Sequence, residues 1–543
     1  MKTADHPNDR RRGAAAAAGL LLVALVALVG SACGSTSKPA GATSGGHVST
    51  TFTYGAFTPV MVGWDPSTDY SNEIIAMNNM YETLTRYDSQ TGQVQPLLAT
   101  AWKKSADAKT WTFTIRQGVK FHDSKAMTAA DVKASIDRTI KLNQGAAYIW
   151  GAVKSIAAPN ATTVVFHLKY PAPIDLISSA GYAAFIYDTK ASGSTPIAKW
   201  FGQGHDAGTG PYTVAQWNKG QEIELRLKSF PGYWGGWSGQ HYKNVVFRVV
   251  PTASTSAQLV REGQLTWVEQ LTPQLWESLK SDSNLTTTTS TSYQNLFGML
   301  NTSYGPLKDV RVRQALAYAT DYKGLVAALK AFTPSVGIIP HGLWGYDPNL
   351  PVYKTDVAKA KQLLQAAGYG PGGKHMTLKL TYTQGDQYEQ TVASLLKSEY
   401  APLNITLSVS SLAWPTQWSK AKSTNPASRQ DILLFYWWPD YPDPYSWFIN
   451  LFHSANPPYF NLAYYDNPTV DKQIDRVEPL SATDRQKAIS LYSQIQTELL
   501  HDSPALFLGT QTYERVMQKS VGGFVDNPAY PSVVFVYSLH PGQ

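Results

Sequence analysis

Three short apolar runs lie between segments of helical pattern: Leu378–Thr383 (LKLTYT), Ile405–Val409 (ITLSV) and Ile432–Trp437 (ILLFYW), with helices predicted near 386–400 and 415–423. Runs of this length that are rich in β-branched and aromatic residues are typical of buried strands. Successive strands separated by helices build a parallel sheet, because the chain must cross back over one face before it starts the next strand. This stretch therefore predicts an α/β fold.

The rest of the chain predicts a second region, which is formed by the segment before about residue 300 together with the C-terminal segment. Before about residue 300 the pattern is more β-rich and less regular, which indicates a boundary near Asn301–Pro306. After a long helix at 484–501, Ala505–Leu508 and Val533–Tyr537 are predicted as strands that return to the first region. The chain then crosses between two lobes twice, and the two crossings form a hinge.

The composition excludes a largely disordered chain and a nucleic-acid partner. The chain has 543 residues, of which 43% are hydrophobic and 16% charged, enough apolar side chain for a large buried core. Its 46 basic and 39 acidic residues leave a formal charge of +7, with no long run of like charges. Because this small excess is spread over the whole length, it indicates a solvated surface, and no nucleic acid is predicted as a partner.

The N-terminus has the three-part layout of a secretory signal. Arg10–Arg12 precede the apolar stretch Gly13–Val29, and small residues follow it up to Cys33. The alternative is a transmembrane anchor, since this stretch is about long enough to span a bilayer. Cys33 is the only cysteine of the chain, so it cannot form an internal disulfide. We predict a signal peptide at residues 1–32 and a flexible tether at residues 33–49.

The segment that ends at Cys33 resembles the lipobox of bacterial lipoproteins, in which the cysteine is diacylated and becomes the mature N-terminus. One position departs from that pattern, because Gly30 stands where the family prefers leucine. The resemblance implies a lipid anchor at Cys33 and a protein that works outside the cytoplasm, held at the cell membrane.

The sequence offers little to support catalysis. Gly368–Lys374 spells the G-x-x-x-x-G-K of a phosphate-binding loop, but His375 stands where Ser or Thr is needed, and the segment follows a helix instead of preceding one. Neither H-E-x-x-H nor G-x-S-x-G occurs. Asp440 and Asp443 could pair as in a glycosidase, although Asp443 precedes a proline in a turn. We predict no enzymatic activity, no cofactor and no metal.

The segment Phe435–Phe448 (FYWWPDYPDPYSWF) directly follows the last predicted parallel strand. Ligands of open α/β sheets bind beyond the carboxyl ends of strands, so this segment is placed to present Asp440 between aromatic walls. About half of these rings are expected to fill core. An unpaired buried carboxylate is costly, which favours a ligand-binding role for Asp440.

Motifs along nearly the whole mature chain point to one family. They are Tyr81–Leu84, Leu98–Trp102, Trp111–Asp123, Thr128–Val132, Gly208–Tyr212, Tyr233–Gly236, Asp309–Ala319 with Asp321, Trp344–Asp347, Ala358–Tyr369 and Tyr465–Asp471. In these the chain resembles the extracytoplasmic solute-binding proteins of family 5, receptors of ABC importers for peptides, nickel complexes and some oligosaccharides. Ser124 and Thr266 depart from the family pattern and are interpreted as local turn variation.

The resemblance implies an α/β, two-lobed clamp of periplasmic-binding-protein type (class II, three subdomains), with the ligand enclosed between lobes that close about a hinge. The expected divisions are residues 50–300 for lobe I with an inserted subdomain at about 91–207, residues 301–504 for lobe II, and residues 505–543 for the return to lobe I. In peptide-binding relatives, an aspartate at the position of Asp440 pairs with the α-ammonium group of the ligand. The candidate ligand-binding residues are Asp440, Trp438, Trp414, Tyr441, Trp64, Tyr293, Asn295 and Trp344.

The sequence therefore predicts a monomeric, lipid-anchored receptor that captures di- or oligopeptides and delivers them to permease subunits with cytoplasmic ATPases. An oligosaccharide receptor of the same family is the alternative, since the Trp and Tyr content would suit stacking on sugar rings. A nickel-chelate receptor, a secreted hydrolase and an accessory lipoprotein that transports nothing have less support in the residues.

Overall fold

The computed structural model describes residues 49–61, 63–455 and 460–542. The predicted signal peptide, Cys33 and the tether up to residue 48 lie outside these ranges. Within them, no helix combines the length and the hydropathy that a membrane crossing needs.

The described ranges form strands and helices with the following bounds. The strands are β1 Thr51–Ala56, β2 Thr85–Asp88, β3 Gln93–Pro96, β4 Ala99–Lys104, β5 Thr110–Ile115, β6 Val153–Asn160, β7 Thr163–Leu168, β8 Tyr212–Trp217, β9 Ile223–Ser229, β10 Asn244–Val249, β11 Trp267–Val268, β12 Leu285–Leu300, β13 Phe332–Thr333, β14 Met376–Thr383, β15 Ile405–Leu412, β16 Ile432–Trp437, β17 Ala505–Gln518, β18 Val521–Gly522 and β19 His540–Pro541. The helices are α1 Ile74–Met77, α2 Ala129–Leu142, α3 Ile174–Ile177, α4 Ile197–Phe201, α5 Ala253–Arg261, α6 Pro273–Leu279, α7 Val310–Ala319, α8 Tyr322–Leu329, α9 Val357–Ala366, α10 Gln387–Tyr400, α11 Trp414–Ala421, α12 Tyr445–Leu451, α13 Pro468–Thr483 and α14 Arg485–Asp502.

One long sheet organises the described part of the chain. Its strands follow the order β15-β14-β16-β12-β17-β11-β1-β10-β9-β8, and β13 pairs with β17 beside this path. The two longest strands are neighbours near the middle of this order, with 16 residues in β12 and 14 in β17. They run antiparallel from the pair Leu285–Gln518 to the pair Met299–Ala505, with an irregularity between Thr291 and Asn295. β12 and β17 thus connect the two halves of the sheet.

The predicted α/β alternation is confirmed at one end of this sheet. β14 pairs in parallel with both β15 and β16, and α10 and α11 connect them in sequence. β12 is antiparallel to β16, so the sheet as a whole is mixed. Leu378, Leu380 and Ile432 point into a core shared with α7 and α10. Because all three strands run the same way, their carboxyl ends lie at one edge of the sheet, next to the first residues of α10 and α11.

A second, four-stranded antiparallel sheet with the order β4-β5-β7-β6 lies in the N-terminal part of the chain. α2 packs on it and begins at a capping box formed by Thr128 and Asp131. Such a box satisfies two backbone donors that the first turn of a helix leaves free. This sheet falls inside the predicted inserted subdomain.

The predicted strand at Val533–Tyr537 is wrong. Residues 533–535 form no strand, and Val536–Ser538 is a 3₁₀ turn. The backbone in this segment bonds to a side chain, because Asn79 donates to the carbonyl of Val534 and accepts from the amide of Val536. Val534 and Val536 are nonetheless buried in a core with β1, so this segment does return to the N-terminal part of the chain.

Candidate functional site

A cleft of about 600 Å³ lies at the carboxyl edge of β14 and β16, over the middle of β12 and β17. Its first wall comes from Phe57–Pro59, Ser71–Ile75, Pro251, Glu269–Gln270 and Pro531–Ser532. Its second wall comes from Thr383–Glu389, Ala413–Pro415, Tyr436 and Trp438. The floor is formed by Gln294 of β12 and by Gln511, Tyr513 and Arg515 of β17. Segments that are distant in the sequence therefore meet at the two connecting strands.

A smaller cavity of about 50 Å³ adjoins the cleft and contains Asp440. It shares Ser71, Trp414, Tyr436 and Trp438 with the cleft. A water molecule occupies about 30 Å³ in the liquid, so this cavity has room for a group the size of an ammonium ion. We call it the Asp440 cavity.

The carboxylate of Asp440 is held by three neutral donors that all reach Oδ2. The hydroxyl of Tyr148 donates to it, the hydroxyl of Ser446 donates at 3.2 Å, and the amide of Asn450 donates at 3.4 Å. Burial raises the pKa of Asp440 to about 6, and these three hydrogen bonds oppose that rise. Within the ranges that the structure describes, no Lys, Arg or His forms an ion pair with it. Asp440 is therefore a buried carboxylate for which the described residues provide no counter-cation.

Local sequence positions two of these donors. Asp440 lies in the Pro-rich turn between β16 and α12, and Ser446 and Asn450 follow four residues apart on α12, which puts both on one face of the helix. The backbone amide of Asp440 donates in return to the Ser446 hydroxyl at 3.2 Å. Tyr148 comes from a 3₁₀ turn, Ala147–Trp150, in the N-terminal part of the chain. Only the tertiary fold brings this third donor.

Aromatic rings enclose the Asp440 cavity. The ring centroids of Trp414 and Trp418 are 5.4 Å apart, and those of Trp418 and Phe460 are 5.5 Å apart. Trp437 lies 5.0 Å from Phe460 on another side. Trp438 is held in place by its indole N–H, which donates to the hydroxyl of Tyr182 at 2.9 Å. These rings exclude water, and Lys422 already lies over one of them, with its Nζ 4.9 Å from the centroid of the Trp418 ring.

Three more carboxylates line the cleft, and none of them is among the residues predicted from the sequence. Burial raises the pKa of Glu269 to about 7. Burial also raises the pKa of Asp386 and of Glu389, and the proximity of Asp386 adds to the rise at Glu389. Asp386 caps α10 by accepting from the amide of Glu389 at 2.9 Å, and the hydroxyl of Tyr436 donates to it at 3.3 Å. The sequence predicts a helix near 386–400, but it does not indicate that the start of this helix lines a cleft.

Arg515 is the one cationic side chain that the described residues place in the cleft lining. Its Nε donates to Asp526 at 2.8 Å and its Nη2 donates to the same carboxylate at 3.2 Å. The guanidinium lies 3.9 Å from the centroid of the Tyr513 ring, and the side chain is only 4% exposed. Arg515 is therefore held in place by contacts within the protein.

The structure brings three of the eight predicted ligand-binding residues to the cleft and its cavity: Asp440, Trp414 and Trp438. Tyr441 lies buried beside Asp440 but lines neither space. The other four make structural contacts. Trp64 stacks on Trp217, Tyr293 donates to the carbonyl of Gly342, Asn295 accepts from Trp447, and Trp344 packs on Tyr492. A ligand-binding role for these five residues stays a prediction.

Gly368–Lys374 forms a turn that follows a helix. α9 ends at Ala366, Gly368 takes a left-handed backbone conformation with φ of 83°, and Tyr369 bridges to Lys374 before β14 begins. In the described ranges, no group of three or more His, Cys, Asp or Glu side chains is arranged to hold a metal ion.

Comparison with known proteins identifies the family. Residues 93–459 match the bacterial extracellular solute-binding proteins, family 5 (middle). The chain is 28% identical over 479 residues to the probable D,D-dipeptide-binding periplasmic protein DdpA of Escherichia coli K12, a match that covers 84% of this chain and 88% of that protein. It is 27% identical over 480 residues to the dipeptide-binding protein of the same organism, covering 83% and 87%.

Solved structures share the fold. The oligopeptide-binding protein AppA of Bacillus subtilis, in complex with a nonapeptide, matches with a TM-score of 0.79 and 22% identity over 91% of this chain and 99% of that one. The periplasmic binding protein DppA of Helicobacter pylori, in complex with the peptide STSA, matches with a TM-score of 0.79 and 21% identity, covering 91% and 98%. The predicted α/β clamp with two lobes is confirmed.

Proposed function

Because this chain belongs to the bacterial extracellular solute-binding proteins of family 5, we propose that it is the receptor of an ABC importer and that its ligand is a peptide bound in the cleft. Membership of the family makes the chain a solute-binding protein and not an enzyme. The relatives named above as dipeptide- and oligopeptide-binding proteins support the choice of peptide.

The observation that carries the proposal is the environment of Asp440. Asp440 is 7% exposed as a whole residue, and its carboxylate accepts hydrogen bonds from neutral donors only, in a cavity of ammonium size that adjoins the cleft. A buried carboxylate gains most from a group that is both a hydrogen-bond donor and a cation. The α-ammonium group of a peptide is such a group, and the surrounding rings add cation–π attraction. Asp440 is the anchor for the ligand's amino end.

Closure of the lobes supplies the remaining contacts. The two walls of the cleft belong to the two predicted lobes, and β12 and β17 connect them through the floor. A bend at the irregular pairing near Thr291–Asn295 brings the walls together over the peptide. Residues 50–300 with the insertion at about 91–207, residues 301–504 and the returning residues 505–543 are the moving parts of this proposal.

The same proposal places the protein at the outer face of the cell membrane. Cys33 carries the lipid, the signal peptide at residues 1–32 is removed, and residues 33–49 link the anchor to the folded body. The receptor acts as a monomer that presents its closed form to permease subunits with cytoplasmic ATPases.

Calorimetry on four combinations of protein and peptide tests the proposal. Asp440→Asn removes one charge of the pair, so binding weakens by about 2 to 5 kcal/mol, roughly 30- to 5,000-fold. N-acetylation of the peptide weakens binding to the native protein by a similar amount and has little further effect on the variant, as a direct pair requires. Asp137→Asn, on α2 outside the cleft with a side chain 43% exposed, is the matched control and leaves binding unchanged.

Two results contradict the proposal. Tight binding of the acetylated peptide to the native protein removes Asp440 from the site. Binding of an oligosaccharide with no response to any amine establishes the alternative, in which Asp440 accepts from a hydroxyl and its loss costs about 1 to 3 kcal/mol.

A further inference from the structure

The cleft treats the two ends of a peptide differently. Its amino-terminal anchor is a carboxylate without a counter-cation, whereas the one cation described in its lining, Arg515, already makes two hydrogen bonds to Asp526. Asp526 is fixed in turn by Ser290, whose hydroxyl donates to it at 2.6 Å. A ligand carboxylate that approached Arg515 would compete with a buried, hydrogen-bonded ion pair. Such pairs are costly to break, because one charge is left unpaired.

The walls also oppose an anionic group. Glu269 stands on the first wall, and Asp386 and Glu389 stand on the second. The hydrogen bonds that these carboxylates receive come from neutral groups: the amide of Phe57 donates to Glu269 at 3.1 Å, and the phenol of Tyr436 donates to Asp386 at 3.3 Å. Asp386, whose pKa burial raises to about 6, is largely ionised at pH 7, and like charges in a place of low dielectric repel strongly. The Asp440 cavity opens into the cleft through shared lining residues such as Tyr436 and Trp438, so the carboxylate of a dipeptide anchored at Asp440 would extend into the space that these groups line.

The cleft continues past this acidic region. A second cavity of about 380 Å³ shares Phe57, Pro251, Gln270 and Gly385 with the cleft. The rest of its lining consists of uncharged residues: Val250, Thr252–Ser254, Leu271, Thr272, Leu275 and Gln387. An extended chain advances about 3.3 to 3.6 Å per residue, so each added residue carries the carboxylate farther from Asp440. The second cavity gives a longer peptide a neutral path.

We propose that the cleft grips peptides by the amino end alone and lets the carboxyl end leave through the second cavity, so that its ligands are oligopeptides of three or more residues and not dipeptides. This inference rests on the proposed peptide function and on Asp440 as the anchor. It assigns the ligand class by chain length and by charge: the residues that cross the acidic region are neutral or basic.

The test compares alanine peptides of two, three and five residues, each with a free and an amidated carboxyl terminus, by calorimetry on the native protein. Amidation removes the negative charge of the carboxyl terminus and changes its size very little. We expect amidation to change the affinity of the pentapeptide less than fivefold, and the free dipeptide to bind at least tenfold more weakly than the free pentapeptide. Amidation of the dipeptide improves its binding, because it removes the charge that the walls repel.

Two outcomes overturn the inference. One is a loss of fivefold or more when the pentapeptide is amidated, which would show that a cationic or amide group holds the carboxylate. The other is a free dipeptide that binds within tenfold of the pentapeptide.

The amino-terminal proposal is judged separately, by N-acetylated pentapeptide on the same protein. If acetylation has no effect, the anchor at Asp440 and with it the grip by the amino end both fail, whatever amidation does. If acetylation abolishes binding and amidation also weakens it, the proposed function stands and the present inference fails.

A second arm addresses charge. Pentapeptides with lysine or glutamate at position three, in an alanine background, differ only in the side chain that crosses the acidic region. We expect the lysine peptide to bind at least tenfold more tightly, and Asp386→Asn to reduce that ratio. Equal binding of the two peptides, or a preference for glutamate, contradicts the proposed charge selection. The peptide comparison needs no variant, so it remains decisive if Asp386→Asn disturbs the start of α10.

Discussion

The hydroxyl of Tyr148 donates a hydrogen bond to the carboxylate of Asp440, although the two residues are 292 positions apart in the chain. Tyr148 belongs to the predicted inserted subdomain of lobe I, and Asp440 follows a strand of predicted lobe II. The proposed ligand anchor is therefore completed by a residue from the other predicted lobe. Contact between the two predicted lobes therefore affects the protonation and hydrogen bonding of the Asp440 carboxylate.

Tyr148→Phe tests this link. The variant removes one of the three donors to Asp440, which weakens peptide binding by about 0.5 to 1.5 kcal/mol, or roughly 2- to 13-fold, at neutral pH. Because that hydrogen bond lowers the pKa of Asp440, its loss moves the acid side of the binding profile to higher pH. Calorimetry at several pH values measures both effects. Tyr304→Phe, at an exposed tyrosine, is the control, and an unchanged profile in Tyr148→Phe contradicts the link.

Peptide binding should weaken at acid pH. The α-ammonium group of the ligand pairs with Asp440 only when this carboxylate is ionised, and burial raises the pKa of Asp440 to about 6. At pH 5 about one molecule in ten is ionised, so affinity falls about tenfold below its value at pH 7. Above about pH 8 the ligand's own ammonium loses its proton, and affinity falls again. Asp440→Asn should abolish the acid limb. If that limb persists in the variant, other carboxylates of the cleft cause it.

The unliganded protein should be more stable at mildly acid pH than at alkaline pH. Burial raises the pKa of Glu478 to about 8 and that of Asp443 to about 6. A carboxyl whose pKa is raised on folding binds more protons in the folded state between its unfolded and folded pKa values, so stability falls as pH rises through that window. For Glu478 the window runs from about 4 to about 8.

Thermal melts at pH 5.5 and pH 8.5 measure this effect, with the higher melting temperature expected at pH 5.5. Glu478→Gln keeps the size of the side chain and removes its charge, so the variant should lose part of the difference between the two pH values. Glu277→Gln, whose side chain is 64% exposed, should keep all of it. A variant with the full native difference shows that Glu478 does not contribute.

Ligand should compact the protein in solution. Because the walls of the cleft are joined through β12 and β17 at its floor, bending these strands closes the cleft without unfolding either half. Small-angle scattering should show a smaller radius of gyration with saturating peptide than without it. Asp440→Asn at the same peptide concentration is the control, with little compaction. Tight binding without compaction contradicts the clamp, or shows a cleft that is already closed when empty.

Cys33→Ser tests the anchor. Without the sulfur there is no acylation, so the protein should appear in the medium or accumulate as an uncleaved precursor. Fractionation of cells and mass measurement of the mature N-terminus distinguish these results. Unchanged membrane association with residues 13–32 still present indicates a transmembrane segment instead.

The elements that depend on neighbouring residues could be predicted from the sequence. The capping box of Thr128 and Asp131, the turn at Gly368 and the parallel strands after Met376 all follow from local hydrogen bonding and from the spacing of apolar residues. Asp440 could also be predicted as a ligand-binding residue. It lies among aromatic residues beyond the end of a strand, where ligands of α/β sheets bind, and an unpaired buried carboxylate is costly without a ligand. These signals lie within a few residues of one another.

Only the tertiary structure decided which groups face Asp440 and which line the cleft. Glu269, Asp386 and Arg515 have nothing in their own surroundings that marks them as cleft residues, and the pairing of Tyr148 with Asp440 spans 292 positions. The predicted strand at Val533–Tyr537 failed for the same reason, since its backbone bonds to the side chain of Asn79. Local preference sets the shape of each segment, whereas burial and charge at a site depend on distant segments, whose positions follow from packing the whole chain.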